Sequence, residues 1–210
     1  LFPGNSPYHM AFAGTITLPA ETIQLVYFQA AQSLIAHGFK RFLILNGHAG
    51  NAATVQYLVD RINQETAGIA VDLDDAAAPF VKRAERQGPP AFDRHAGVSE
   101  TSRSLYLTPN LVNLGAGRTA PLTLRPHLDK ILPDVVAGDP VATRVFLAEA
   151  LKAASTGKGT STKDMTETGV WSALDVKTAT AERGRDETLA SVNAAVAFIE
   201  RWKQLRPSGL

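Results

Sequence analysis

The sequence predicts an α/β fold, a three-layer sandwich with a mostly parallel central sheet. Three observations lead there. Short continuous apolar runs at residues 41–45 and 68–73 have the pattern of strands covered on both faces. Helical periodicities precede and separate them, which makes a βαβ unit with parallel strands and a right-handed crossover. The chain has 210 residues, 45% of them hydrophobic, enough for one sizeable core, so a single domain over residues 1–210 is expected.

Each element follows from local signals. A first helix is expected over residues 19–38, where Ile23, Val26, Tyr27, Ala30 and Leu34 recur at three and four, Pro19 and Glu21 suit the first turn and Gly38 suits a C-terminal cap. The strand at 41–45 runs into the glycine-rich turn Asn46-Gly47-His48-Ala49-Gly50-Asn51. Over residues 51–64, Val55, Leu58, Val59 and Ile62 share one helical face. After the second strand, Asp72, Asp74 and Asp75 read either as a ligand cluster or as caps for a helix over 76–86, which Gly88-Pro89-Pro90 ends. A helix over 98–107 closes at Pro109. Between 115 and 140 prolines and glycines interrupt every periodicity, and this irregular excursion carries His127. A helix near 142–154, a flexible loop over 155–164 and a long closing helix over 178–205, striped by Leu189, Val192, Val196 and Ile199, complete the chain.

Composition excludes several functions. Lys and Arg number 21 against 20 Asp and Glu, so the basic field that a phosphate backbone requires is missing and nucleic acid is not an expected partner. Without cysteine there are no disulfides, thiolate nucleophiles or Cys-ligated metals, and any metal must sit on His, Asp and Glu. No apolar run approaches the ~20 residues of a membrane span and no basic segment leads into one, so a cytoplasmic protein with no membrane partner is expected.

Two turns carry the candidate chemistry. His48 falls at the carboxyl end of a strand, where open α/β sheets place their ligands. Its flanking glycines allow positive φ and close approach, and Asn46 and Asn51 can hold the turn by bonding local backbone. The second turn is Asp93-Arg94-His95-Ala96-Gly97-Val98-Ser99-Glu100-Thr101-Ser102, in which a second His precedes a small-Gly bend and Glu100 opens the following helix. Ser99, Thr101 and Ser102 suit ordinary caps, and Glu100 alone suits the dipole end. Two such His turns and a first-turn carboxylate can meet in one cleft. His37 reads as the end of the first helix, where a cation favours the dipole. Trp171 walls the cleft or anchors a packed loop.

The strings FAGTITL, LILNGHAGN, HAGVSETS and TGVWSALDVKTATAERG, collinear over nearly the whole chain, resemble the creatininase (creatinine amidohydrolase) family. The family's usual forms are F-P-G-T-x-S-L, N-G-H-G-G-N, H-A-G-x-x-E-T-S and G-V-x-G-x-P-x-x-A-T-x-x-x-G. The resemblance implies a creatininase-like three-layer fold, a metal-dependent amidohydrolase acting on a non-peptide or cyclic C–N amide bond through a metal-activated water, and a homo-oligomer, commonly a hexamer. It implies two divalent ions per complete site, zinc, manganese or iron, and a small-molecule amide substrate. Carried over residue by residue, it makes His48 a metal ligand, His95 the catalytic acid/base and Glu100 a metal-site carboxylate. Ser6, His9 and Trp171 become substrate-lining residues.

The departures matter as much. The family's Glu two residues after the N-G-H His is Gly50 here, and the acidic residue before the H-A-G His is Arg94, so creatinine itself is not the expected substrate. The family segment E-Q-H-G-x-H-L-P-x-x-x-D, which supplies further metal ligands, is absent from these 210 residues, as in a chain truncated at its N-terminus. Weak metal binding by this chain is therefore expected. A non-catalytic binding subunit of the same fold, or a peptidase-like member acting on a peptide, are the alternatives.

Overall fold

A computed structural model of the chain describes residues 4–81, 91–122, 126–150 and 162–205. They fall into two compact units. The first gathers Leu1–Pro7, Gly14–Lys82 and Ser191–Leu210, and the second Tyr8–Ala13 and Arg83–Ala190.

In the first unit the expected βαβ motif forms. Helix α1 (Ala20–Ala36) leads to strand β1 (Arg41–Ile44), helix α2 (Ala52–Glu65), strand β2 (Ile69–Asp72) and the short helix α3 (Leu73–Ala77). The strands pair in parallel, from Arg41 opposite Ile69 to Ile44 opposite Asp72. Helix α1 ends because Gly38 takes φ +91°, which lets the Gly38 and Phe39 N–H groups turn back onto the carbonyls of Ile35 and Leu34. His37 sits at that cap.

The core of this unit joins Phe28 and Ala31 of α1, Val55, Leu58, Val59 and Ile62 of α2, and Ala70 of β2, with Phe42 and Ile44 packed against it. Asn63 fastens α2 to the sheet, donating to the Ala70 carbonyl at 3.0 Å and accepting its N–H at 2.7 Å. On the opposite side of β1, Arg41 lies 5.6 Å from the ring of Trp202, which belongs to the final helix, α7 (Ala181–Gln204).

Of the stripe expected on α1 only Ile23 is buried. Phe28 and Ala31 complete the buried face, while Val26, Tyr27, Ala30 and Leu34 are exposed. The helix is apolar nearly all round, so spacing alone could not choose its buried side. The same correction applies to α7, where Leu189, Val192 and Val196 are exposed and the small Ala194 is buried. The helix expected over 76–86 begins earlier, at Leu73, because the Asp72 carboxylate accepts the Asp74 N–H and starts the helix directly at the strand end. The α-helix ends at Ala77 and passes into a 3-10 turn at Ala78–Phe80 that contains Pro79, with Val81 extended, so the helix expected over 76–86 does not continue there. Residues 82–90, with Gly88-Pro89-Pro90, lie outside the described residues.

The second unit contains α4 (Val98–Leu107), α5 (Leu132–Val136), α6 (Pro140–Ala150) and the beginning of α7. Its core is aromatic: Phe92, Phe146 and Trp171 meet with Leu122, Leu128, Val135 and Met165. The Phe92 ring stands edge-on to both Phe146 and Trp171 at 5.6 and 5.1 Å, contacts that add about 0.5–1.5 kcal/mol each beyond area burial. The excursion over 115–140 is irregular as expected, built of 3-10 turns at Leu114–Ala116 and Pro126–Ile131 followed by α5. The His127 side chain, the end of the helix expected over 142–154 and the loop up to residue 161 lie outside what is described. Among the described residues no helix is long and apolar enough to cross a membrane.

Candidate active site

The His95 turn is pinned to the segment that carries Trp171. The Arg94 N–H donates to the Trp171 carbonyl at 3.1 Å and the Trp171 N–H to the His95 carbonyl at 2.8 Å, while Asp93 and Ser172 form an antiparallel bridge. Further along, the Ala173 N–H donates to the Phe92 carbonyl at 2.8 Å. These bonds bring the imidazole of His95 parallel to the indole of Trp171, with ring centroids 5.4 Å apart and planes 13° from coplanar. Trp171 is 2% exposed, part of the aromatic core, so the imidazole lies on a rigid wall. Ala96 bends the chain with φ +49°, a left-handed value uncommon outside glycine and typical of functional turns.

Two further side chains, Glu100 and His9, meet His95. Its Nδ1 lies 3.8 Å from Oε1 of Glu100, whose other oxygen accepts the Ala96 N–H at 2.9 Å. Partial burial pushes the Glu100 carboxyl up. Hydrogen bonding to His95 and to the Ala96 N–H, with the charges of His95 and Arg103, outweighs that and holds it below the usual carboxylate range. The ring of His9 stands edge-to-face to His95 at 4.8 Å, and Tyr8 is edge-on to His9 at 4.6 Å. Buried Thr162 orients His9: its hydroxyl lies 2.6 Å from His9 Nδ1 and 3.3 Å from the Tyr8 carbonyl. Burial raises the Tyr8 hydroxyl above its ordinary value.

In the first unit, the His48 turn forms a second cluster. The Nε2 of His48 lies 2.8 Å from Ser6 Oγ and 3.3 Å from the Asn5 carbonyl. Nε2 can donate to the Asn5 carbonyl or accept from the Ser6 hydroxyl, according to the tautomer. Asn46 accepts the His48 N–H at 3.1 Å, as expected, whereas Asn51 reaches further and accepts the Asn5 N–H at 2.9 Å. Neither Gly47 nor Gly50 takes positive φ, so this turn does not use the conformational freedom its glycines offer.

Of the six candidates, His9, His95, Glu100 and Trp171 thus gather in one cluster, and Ser6 and His48 in another. The caps expected from Ser99, Thr101 and Ser102 are spent elsewhere: Ser99 donates to Glu187, Thr101 to the Ala96 carbonyl, and Ser102 accepts the Thr180 N–H. The α4 cap is Asp93 instead, which accepts the Val98 and Ser99 N–H groups at 2.9 and 3.0 Å. Thr162, Ser172 and Asp93 escaped the sequence reading. Only Asp93 left a signal there, an acidic residue shortly before a helix whose own cap position is glycine. A cavity of about 590 Å³ bordered by Arg118, Thr119, Asp175 and Lys177 is lined by none of the six candidates.

The profile of the creatininase family, creatinine amidohydrolase, matches residues 1–199. The chain belongs to the creatininase family. It is 32% identical over 146 residues to the mycofactocin precursor peptide peptidase of Mycobacterium ulcerans (strain Agy99), covering 65% of this chain and 53% of that protein. To the protein of the same name from Mycobacterium tuberculosis (strain CDC 1551 / Oshkosh) it is 28% identical over 210 residues, covering 99% and 66%. The chain therefore spans about half to two thirds of the length of these family members. Solved creatininase structures share its fold. A variant complexed with creatine superposes with TM-score 0.57 at 19% identity over 98% of this chain and 74% of that one. A structure described as creatininase Mn gives 0.53 at 21% over 90% and 67%, and a variant of Zn-Zn type 0.51 at 20% over 93% and 68%. The α/β class expected from the periodicities is thus that of the family.

Proposed function

We propose that the protein hydrolyses a C–N amide bond with His95 as general acid/base. The observation that supports this best is the seating of His95 between the Trp171 wall and the Glu100 carboxylate. The wall and the carboxylate fix the ring, and Glu100 stabilises the imidazolium that forms when His95 takes a proton. With Nδ1 turned to Glu100, Nε2 is the nitrogen that exchanges protons with water and with the leaving amine. His9 and Trp171, and Ser6 from the other cluster, are proposed to line the substrate path.

The family neighbours described with zinc or manganese make divalent metals, two per complete site, part of the reading, with His48 and Glu100 as proposed ligands. The donor set does not complete such a site. Among the described residues no group of three or more His, Asp or Glu is gathered to hold an ion, where a catalytic zinc site commonly has three protein ligands. The metal-activated water stays part of the proposal.

The test is amine release from small cyclic amides, linear amides and peptides, with His95→Asn as the control. Loss of a general acid/base costs about 10²–10⁴ in rate, and equal activity in the variant would remove His95 from the mechanism. The peptidase names of the curated relatives favour a second reading, a peptide substrate in place of a small cyclic amide. Cleavage of peptides alone would select it. Tight ligand binding without turnover would select the non-catalytic binding subunit. Self-association into a homo-oligomer, as large as a hexamer, is supported by the exposed apolar side chains of α1 and α7 and is read by sedimentation.

A further inference from the structure

We propose that Asp93 is a positioning residue for His95, acting with Ser172 to clasp the turn that seats the imidazole on Trp171. The inference rests on the reading of His95 as the acid/base. Helix α4 has Gly97 at its cap position and no side-chain cap there. The cap comes instead from upstream, across the bend. One Asp93 oxygen accepts the Val98 N–H at 2.9 Å and the Ser172 hydroxyl at 2.7 Å, and the other accepts the Ser99 N–H at 3.0 Å. Residues 94–97 are thereby closed into a loop with the carboxylate as its clasp.

The carboxylate also sets where that loop lies. Ser172 follows Trp171 directly and is fully buried. Its oxygen accepts the Leu174 N–H at 3.0 Å, and its proton has Asp93 at 2.7 Å as the nearer acceptor and the Phe92 carbonyl at 3.4 Å as the farther one. One carboxylate therefore holds the helix start, the bend and the Trp171 segment in a single register. The fit is close: a Cβ on Gly97 would stand 1.9 Å from the Asp93 oxygen, so the bend carries glycine where the clasp passes. Asp93 touches neither ring. It acts by fixing the backbone on both sides of the stack.

The chain has two tryptophans, so a Trp202→Phe background leaves Trp171 as the sole indole. At fixed pH the stack on His95 gives the Trp171 indole a near-UV circular dichroism band, and His95→Asn should remove the part that the stack contributes. Asp93→Asn, which sets an amide N–H₂ against a backbone N–H, should lose most of that amplitude, and Ser172→Ala part of it. Asp139→Asn disturbs another cap in the same unit, the one that accepts the Val141 and Ala142 N–H groups, and should leave the amplitude intact. On a cleaved substrate, Asp93→Asn should lower kcat about 10- to 100-fold with KM little changed, the expected cost of a misplaced catalytic group.

Full amplitude in Asp93→Asn, or an equal loss in Asp139→Asn, overturns the proposal. Should Asp93→Asn fail to fold, Ser172→Ala decides, and an unchanged band there overturns it too. The two readings fail separately. Absence of any hydrolysis by the parent chain removes the acid/base reading while the Trp171 band still reports the clasp, whereas a lost band with unchanged kcat removes the positioning role and leaves the hydrolase.

Discussion

Glu100 is pulled in two directions, and the balance sets a pH dependence. Burial raises its carboxyl, while His95, the Ala96 N–H and Arg103 lower it further than burial lifts it. A carboxylate depressed in the folded state contributes stability that is fully present above its unfolded value, about 4.3, and is lost as pH falls through the folded value. Glu100→Gln should therefore flatten the fall in melting temperature below about pH 4.3 relative to the parent. Parallel melting curves across that range would place the acid lability in other carboxylates. Trp171 makes the second residue-scale case, because its buried indole N–H has no hydrogen-bond partner among the described residues. Such a donor costs about 1–3 kcal/mol, so Trp171→Phe, which deletes it along with part of the ring, should destabilise by less than the 3–5 kcal/mol typical of truncating a buried aromatic to alanine. A larger loss in a chemical melt would show that the indole N–H is satisfied in solution. The closeness of His95 and Glu100 was legible in the sequence because their spacing is local. The bond from Asp93 to Ser172 and that from Thr162 to His9 were not, since these partners lie 79 and 153 residues apart.

Between elements, the tightest approach in the second unit is where α7 crosses α4. A Cβ on Gly184 would stand 1.9 Å from the Ser102 carbonyl oxygen, and Ser102 is itself fully buried with its hydroxyl accepting the Thr180 N–H. Two effects oppose each other in Gly184→Ala. Helix propensity favours alanine by about 1 kcal/mol, whereas forcing a methyl into packed backbone costs typically about 1–3 kcal/mol and more where backbone must move. The clash is with a carbonyl rather than a flexible side chain, so net destabilisation is expected, and a variant as stable as the parent would mean the helices separate readily. Helices α2 and α4 and both strands were legible because amphipathic spacing or β-rich runs mark them unambiguously. The buried faces of α1 and α7 were not, because both helices carry large apolar residues on more than one side and only the partner surface chooses among them.

At the scale of the whole molecule the donor inventory decides. The five histidines and 20 acidic residues offer ample nitrogen and oxygen ligands, and composition alone cannot say whether they converge. In the structure His48 has its Nε2 turned to Ser6 and Asn5, Glu100 is engaged by His95 and Ala96, and no three donors are gathered among the described residues. Affinity for a divalent ion rises with the number of ligands held in place, because each preorganised donor adds a bond without further loss of chain entropy. A site with one or two such donors exchanges its ion during dialysis. Purified protein loaded with zinc or manganese and then dialysed should therefore retain fewer than two ions per chain by elemental analysis, and His48→Ala should lower the residual content further. Two ions held stoichiometrically through dialysis would show that other side chains complete the centre.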